Sequence, residues 1–255
     1  FASLINEWHW KYKYQQVYKA QRGMWLTPVE LFSPYYSNIL ANFVSESMST
    51  TMNNLNRHTI GDFEIVELGG GRGTNANSLL DHLRECHPDI YERLHRYTIF
   101  DTSPTLHELQ REVLINQSIH AEKVQLLNID MMDVAEGNSE FLTSSDKPTA
   151  VIALELLDNL PHDKIARCVE GDILQAEVMP LDATEDGARD DVEGPISCLD
   201  TSRAYTETFV PMNDPLLQHI LSVGPSLYTP TASTGPQWVP TVALGILMKL
   251  FECRP

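Results

Sequence analysis

Seven residues, Glu67-Leu68-Gly69-Gly70-Gly71-Arg72-Gly73, constrain this chain more than any other stretch. They end a short apolar run, Glu64 to Leu68, that reads as a buried strand. They precede Ala76, Leu79, Leu80 and Leu83, which recur at helical spacing. A strand that passes into a helix through such a glycine cluster must turn tightly. Glycine permits positive φ there, and the missing Cβ lets a ligand approach the backbone closely. The helix beyond starts with amide N–H groups that have no partner inside the helix. The segment therefore predicts a ligand-binding strand–turn–helix unit.

The neighbouring sequence repeats that alternation. Tyr97 to Phe100 reads as a second strand ending at Asp101, and Ser103-Pro104 reads as an N-cap followed by proline in the first helical turn. Leu106, Leu109 and Val113 stripe the helix that follows. Val124–Leu127 and Ala150–Leu154 read as a third and a fourth strand. Strands alternating with helices predict an α/β fold with a mostly parallel sheet, helices on both faces and right-handed crossovers. Before this core, residues 1–22 and about 34–52 read as helices of an N-terminal lobe, the second with Ile39, Leu40, Phe43 and Val44 on an apolar face. After Pro161, Ile165–Val169 and Ile173–Val178 read as a hairpin turning at Glu170-Gly171-Asp172. Residues 182–193 carry six acids and one arginine and read as a solvated loop. Residues 215–223 and 242–251 read as helices. The expected domains are 1–60, 61–165 and 166–255. The last helix is apolar nearly all round, so its burial is expected to need further strands of a longer chain or a partner surface.

Composition excludes several classes of function. The formal net charge is −17, and so acidic a surface repels phosphate backbones. The stretch Lys11 to Arg22 is the exception: four basic residues and no acid, interleaved with Tyr12, Tyr14 and Tyr18. It reads as an amphipathic helix or as a local basic patch for RNA or an acidic partner. No run of 18 apolar residues is present to cross a membrane. The four cysteines form no C-x-x-C pair. His82, Cys86 and His87 cluster without an evident fourth ligand, so no metal site is expected.

Spacing narrows the ligand. A dinucleotide fingerprint starting at Gly69 would need glycine where Thr74 stands, and a phosphate-binding loop would need the G-K-[ST] that is missing. The pattern E-x-G-x-G-x-G fits, and it resembles the first motif of class I, Rossmann-like methyltransferases, which bind S-adenosyl-L-methionine. That resemblance implies that Glu67, Gly69, Gly71 and Gly73 surround the cofactor. It implies that Asp101 accepts from both ribose hydroxyls and that Asp130, or its neighbour Asp133, faces the adenine amino group.

The fourth strand runs into Glu155-Leu156-Leu157-Asp158-Asn159-Leu160-Pro161. Here the chain resembles the MidA-like methyltransferases, a family that includes the mitochondrial protein-arginine methyltransferase assisting respiratory complex I assembly. Glu155, Asp158 and Pro161 match that family's motif after the fourth strand, and Leu154 replaces its usual polar residue. Thr27-Pro28-Val29-Glu30, Asp101-Thr102-Ser103-Pro104 with Leu106 and Gln110, and Trp238-Val239-Pro240-Thr241 resemble other family segments, so the likeness spans about residues 23–255. It implies a protein methyltransferase acting on an arginine of a mitochondrial partner, or a methyltransferase-like scaffold that assembles a large complex without catalysis. Carboxylates suit the first role, because they bind the guanidinium fork and can take the proton released. Glu155 and Asp158 are three residues apart and would face one way on a helical turn. Glu30 would join them from the N-terminal lobe. The other reading of the pair is local: Asp158 caps a helix and Glu155 holds a backbone amide.

Overall fold

The computed structural model describes residues 27–54, 63–137, 145–180, 205–225, 228–231 and 235–253. The expected helix over 1–22, its basic stretch and the acidic segment 182–193 lie outside the described residues. The described chain clusters into two compact units: one holds residues 27–159 with 245–253, the other residues 160–244.

The larger unit opens with a short helix, α1 (Pro28–Leu31), and a long one, α2 (Tyr35–Asn54). The core α/β run follows: β1 (Phe63–Leu68), α3 (Thr74–Cys86), α4 (Pro88–Arg93), β2 (Leu94–Asp101) and α5 (Pro104–Arg111), which runs into a π-turn over Glu112–Asn116. Then come β3 (Val124–Asn128), α6 (Met131–Glu136) and β4 (Thr149–Ala153). The four strands pair parallel in the order β3-β2-β1-β4. The chain winds outward from β1 through β2 to β3, then returns to the other side of β1 as β4. That reversal is the switch point at which open parallel sheets leave a crevice beyond the carboxyl ends of their strands. The glycine turn leaves β1 at that edge.

Strand parity builds the core. Phe63 and Ile65 of β1, Tyr97 and Ile99 of β2 and Ile152 of β4 cluster with Ala76, Leu79, Leu80 and Leu83 of α3, Ile90 and Tyr91 of α4, and Ala41, Val44, Met48 and Met52 of α2. The expected helices α2 and α5 are present, and of their expected apolar faces Val44 and Leu106 are buried and Leu40 and Val113 pack on the core, while Ile39, Phe43 and Leu109 do not. On α2, Ile39 and Phe43 are 70% and 67% exposed, whereas Ala41, Val44, Met48 and Met52 are buried. Residues 41, 44, 48 and 52 follow one stripe at helical spacing, and residues 39 and 43 lie off it. On α5, the buried positions are Leu106, Gln110 and, in the π-turn, Leu114, while Leu109 is exposed.

The smaller unit contains the expected hairpin, as β5 (Asp163–Arg167) and β6 (Ile173–Pro180), within a larger antiparallel sheet. β7 (Tyr205–Pro211) extends it beyond β6 and β8 (Gln237–Val239) beyond β5, in the order β7-β6-β5-β8. Helix α7 (Pro215–Val223) is capped by Asp214, whose carboxylate accepts the Leu217 N–H at 2.9 Å. The last helix, α8 (Thr241–Cys253), runs from this unit into the larger one. Along it Val242, Ala243, Ile246 and Leu250 are buried and Phe251 is 81% exposed.

Candidate cofactor and acceptor site

β1 delivers the chain to the glycine turn, which the sheet then holds: Gly69 N–H donates to Phe100 O at 2.8 Å and Gly73 N–H to Gly70 O at 2.9 Å. Gly69, Gly71 and Gly73 have φ of 71°, 56° and 85°, all left-handed, and Gly73 caps α3. Two positions show different reasons for glycine. A Cβ on Gly70 would lie 2.6 Å from Ile99 Cγ2, so its space belongs to the protein core. A Cβ on Gly71 would meet nothing within 4 Å. The backbone at Gly71 is thus bare towards open space, where a side chain would project into an approaching ligand.

Asp101 ends β2 beside this opening. Its Oδ1 accepts the Ser103 N–H at 2.9 Å, and its Oδ2 accepts from Gln110 Nε2 at 3.0 Å. The Gly71 N–H bonds to the same carboxylate. Burial lifts the Asp101 carboxyl to about 6, and the bonds from Ser103, Gln110 and Gly71 oppose that rise. The end of β3 holds the Asp101 backbone: Asn128 Nδ2 and the Ile129 N–H both donate to Asp101 O, at 2.8 and 3.1 Å.

Glu67 lies on the same sheet face, buried beneath the glycine turn. It shares the inward parity of Phe63 and Ile65 and is 2% exposed. Asn75 Nδ2, in the first turn of α3, donates to its Oε1 at 2.7 Å, and the Tyr97 hydroxyl donates to its Oε2 at 2.8 Å. Burial raises its carboxyl above the ordinary range, the two hydrogen bonds oppose the rise, and the nearby charge of Asp101 adds to it. Glu67 therefore ties β1, β2 and α3 together beneath the turn. Asp130 caps α6, its Oδ1 accepting the Met132 N–H at 3.0 Å, while its neighbour Asp133 is exposed.

The acceptor-side residues sit at the same sheet edge. β4 leads into a turn in which Leu156 packs on the glycine turn, its Cδ1 3.1 Å from where a Cβ of Gly69 would be. Glu155 and Asp158 flank Leu156 and are exposed. Spacing offered a helical turn as the way to align them. The structure instead gives Glu155 a left-handed φ of 55° and begins a 3-10 turn only at Leu157, so the i, i+3 rule does not apply to the pair. Asn159 Nδ2 donates to Glu155 O at 2.7 Å and holds that backbone. Glu30, at the end of α1, accepts the Thr27 N–H at 3.4 Å and lies 3.9 Å from Arg72 Nε of the glycine turn. Residues 28–31 and the glycine turn are therefore in contact.

Sequence reasoning gave no role to three polar residues that hold Glu67, Asp101 and the glycine turn. Asn75 and Tyr97 looked like ordinary helix and strand positions. Gln110 entered only through the resemblance, yet it is fully buried and bonds two parts of the site. Its signal was a glutamine on the buried face of α5 between Leu106 and Leu114. His82 and His87 both place Nε2 on Asn42 Oδ1, at 2.9 and 2.7 Å, and among the described residues no group of three or more His, Cys, Asp or Glu could hold a metal. No helix of the described residues is long and apolar enough to cross a membrane.

The observed cradle fits S-adenosyl-L-methionine: bare backbone at Gly71, an acid closing the next strand, and free N–H groups at the start of α3. An uncharacterized superfamily protein from Burkholderia thailandensis has a crystal structure that superposes with a TM-score of 0.52 at 16% identity, over 96% of this chain and 57% of that one. Its likeness shows the fold, a Rossmann-like α/β architecture. A second crystal structure from that organism, a member of the same superfamily bound to S-adenosyl-homocysteine, matches with a TM-score of 0.42 at 19% identity, over 72% of this chain and 37% of that one. The chain thus spans less than two thirds of the length of either structure. No curated protein matches the chain. A family profile described as "Putative S-adenosyl-L-methionine-dependent methyltransferase" matches residues 43–255, most of the sequence, and the chain belongs to that family.

Proposed function

We propose that this chain carries the cofactor half of a protein-arginine methyltransferase, acting on a mitochondrial partner during assembly of a large complex. The observation that carries the methyltransferase reading is the open backbone at Gly71 beside the Asp101 carboxylate, in a chain of this family. Arginine, the mitochondrion and assembly come from the resemblance of Glu155, Asp158 and Pro161 to the MidA-like motif.

Bound S-adenosyl-L-methionine supplies an electrophilic methyl on a sulfonium. The chain's residues then divide the work. Asp101 accepts the ribose hydroxyls, and the turn at Gly71 admits the cofactor against bare backbone. Asp130 stands at the end of β3 for the adenine amino group. Glu155 and Asp158, on the turn that packs on Gly69, receive the guanidinium. Their negative charge offsets the repulsion between a cationic acceptor and a cationic methyl donor. A guanidinium held between these carboxylates would present one nitrogen towards the cofactor's methyl, and one carboxylate would take the proton released and pass it to water. Glu30 supplies a third acid from residues 28–31, provided it leaves Arg72.

Calorimetry with S-adenosyl-L-methionine, together with a labelled-methyl assay on candidate complex subunits, tests this reading. Binding with labelled arginine supports it, and absence of binding to the folded protein refutes it. One observation favours the scaffold alternative: Asp101 already receives three protein donors. Cofactor binding without methylation of any assembly partner would make that second reading the better one.

A further inference from the structure

We propose that Gln110 is a positioning residue for cofactor binding, its amide bridging the Asp101 carboxylate and the Gly71 carbonyl so that the two sides of the ribose seat are held in register. The inference rests on the reading of Asp101 as the ribose acceptor.

Gln110 Nε2 donates to Gly71 O at 2.8 Å and to Asp101 Oδ2 at 3.0 Å. Both amide hydrogens are therefore used, one on each side of the seat. The amide orientation follows from chemistry, since the flipped form would set the glutamine oxygen against two acceptors. The Gly71 N–H bonds the same carboxylate. Gly71, Asp101 and Gln110 thus close a ring, with Gly71 held through both its N–H and its C=O. Gly71 is also the position where the backbone faces open space. The side chain that completes this ring is wholly buried, on a helix face otherwise formed by Leu106 and Leu114. An apolar residue there would satisfy the packing of α5 but leave the Gly71 carbonyl and one carboxylate oxygen without a donor.

The ring has a charge consequence that packing alone lacks. Gln110 is one of the three donors that keep the buried Asp101 ionised against desolvation. The surrounding elements add one charge: Glu67 from β1. The glycine turn and Ser103 present backbone N–H groups, and Asn128 from β3 is neutral. Without Gln110 the carboxyl protonates at higher pH, and a protonated carboxyl is the weaker acceptor for ribose hydroxyls.

The test is Gln110→Met in the full chain. S-adenosylhomocysteine affinity is measured by calorimetry from pH 6 to 9, and the Asp101 carboxyl is titrated in the cofactor-free protein by carbon-13 NMR, assigned with Asp101→Asn. At pH 7 the affinity should fall about tenfold or more. The deficit should shrink towards pH 9, and the Asp101 midpoint should move up. Should Gln110→Met fail to fold, Gln110→Glu keeps the length and reverses the sign, its deficit growing with pH as a second carboxylate ionises beside Asp101. Wild-type affinity in the variant, or the same fold loss at every pH with an unmoved Asp101 midpoint, overturns the proposal in favour of simple packing. If the wild-type protein binds no S-adenosylhomocysteine, the ribose-seat reading itself has failed and this inference falls with it. That result is distinct from a variant indistinguishable from a wild type that binds.

Discussion

The Tyr97 hydroxyl donates to Glu67 Oε2 at 2.8 Å from one residue pair deeper on the same sheet face, since Tyr97 pairs with Ile65 and Ile99 with Glu67. The acid of the glycine motif is thereby anchored from below by the neighbouring strand and from the side by Asn75 of α3. A buried carboxylate that loses one donor bears the full cost of the missing bond. Tyr97→Phe keeps the ring in the core and removes only the hydroxyl. It should destabilise the fold by about 1–3 kcal/mol, read as a lower urea midpoint at unchanged m-value. A stability equal to wild type would show that the bond contributes nothing.

Asp101 predicts a pH signature. Its carboxyl is lifted to about 6 by burial, against an ordinary 3.8. The native state therefore binds this proton more tightly than the unfolded chain does. Its contribution to stability is full below the ordinary value and is lost as pH rises through about 6. The size is roughly 3 kcal/mol between pH 4 and 7. Subtracting the Asp101→Asn curve of stability against pH from the wild-type curve should reveal that slope, with wild type gaining on acidification. Parallel curves would contradict it. The same variant should bind S-adenosylhomocysteine more weakly at neutral pH, an acid kept for function at the expense of the fold.

Gly70 and Gly71 should separate stability from binding. A Cβ on Gly70 collides with Ile99 Cγ2, so Gly70→Ala should cost about 1–3 kcal/mol through overpacking. Gly71→Val has room for its side chain but must hold a φ of 56°, which costs about 1–2 kcal/mol. Its side chain then fills the cofactor's approach. S-adenosylhomocysteine affinity should drop at least about tenfold, or 1.4 kcal/mol, in a protein whose circular dichroism remains native. Retained affinity would place the cofactor elsewhere.

Glu155 holds a left-handed backbone that costs a non-glycine residue energy. Glu155→Gly should therefore stabilise the fold by about 1 kcal/mol in thermal unfolding while slowing turnover. Glu155→Gln and Asp158→Asn should each slow methylation of a verified substrate about 10–150-fold if the lost contact belongs to the transition state. Cofactor affinity should change little. Wild-type turnover in both charge-neutral variants would make the turn structural.

The sequence alone determined the parallel α/β core, because its signals are local. Glycines between an apolar strand and a helical stripe, an acid closing the next strand and a serine–proline helix start each depend on a few adjacent residues. The hairpin of β5 and β6 was legible for the same reason. Strands β7 and β8 were not, since β7 joins β6 only across residues 181–204 and β8 is three residues long. Tertiary structure decided which stripe of α2 is buried, because position 41 rather than 39 or 43 falls against the sheet side of the core. It decided the direction of Glu67, since strand parity turns that side chain under the glycine turn to Asn75 and Tyr97. It set Glu155 in a left-handed conformation that no i, i+3 rule foresees. It also buried Gln110, a polar residue whose amide nitrogen finds its acceptors 39 and 9 positions away in the chain. Burial of a polar group is favourable only where partners converge on it, and that convergence exists only once the chain has folded.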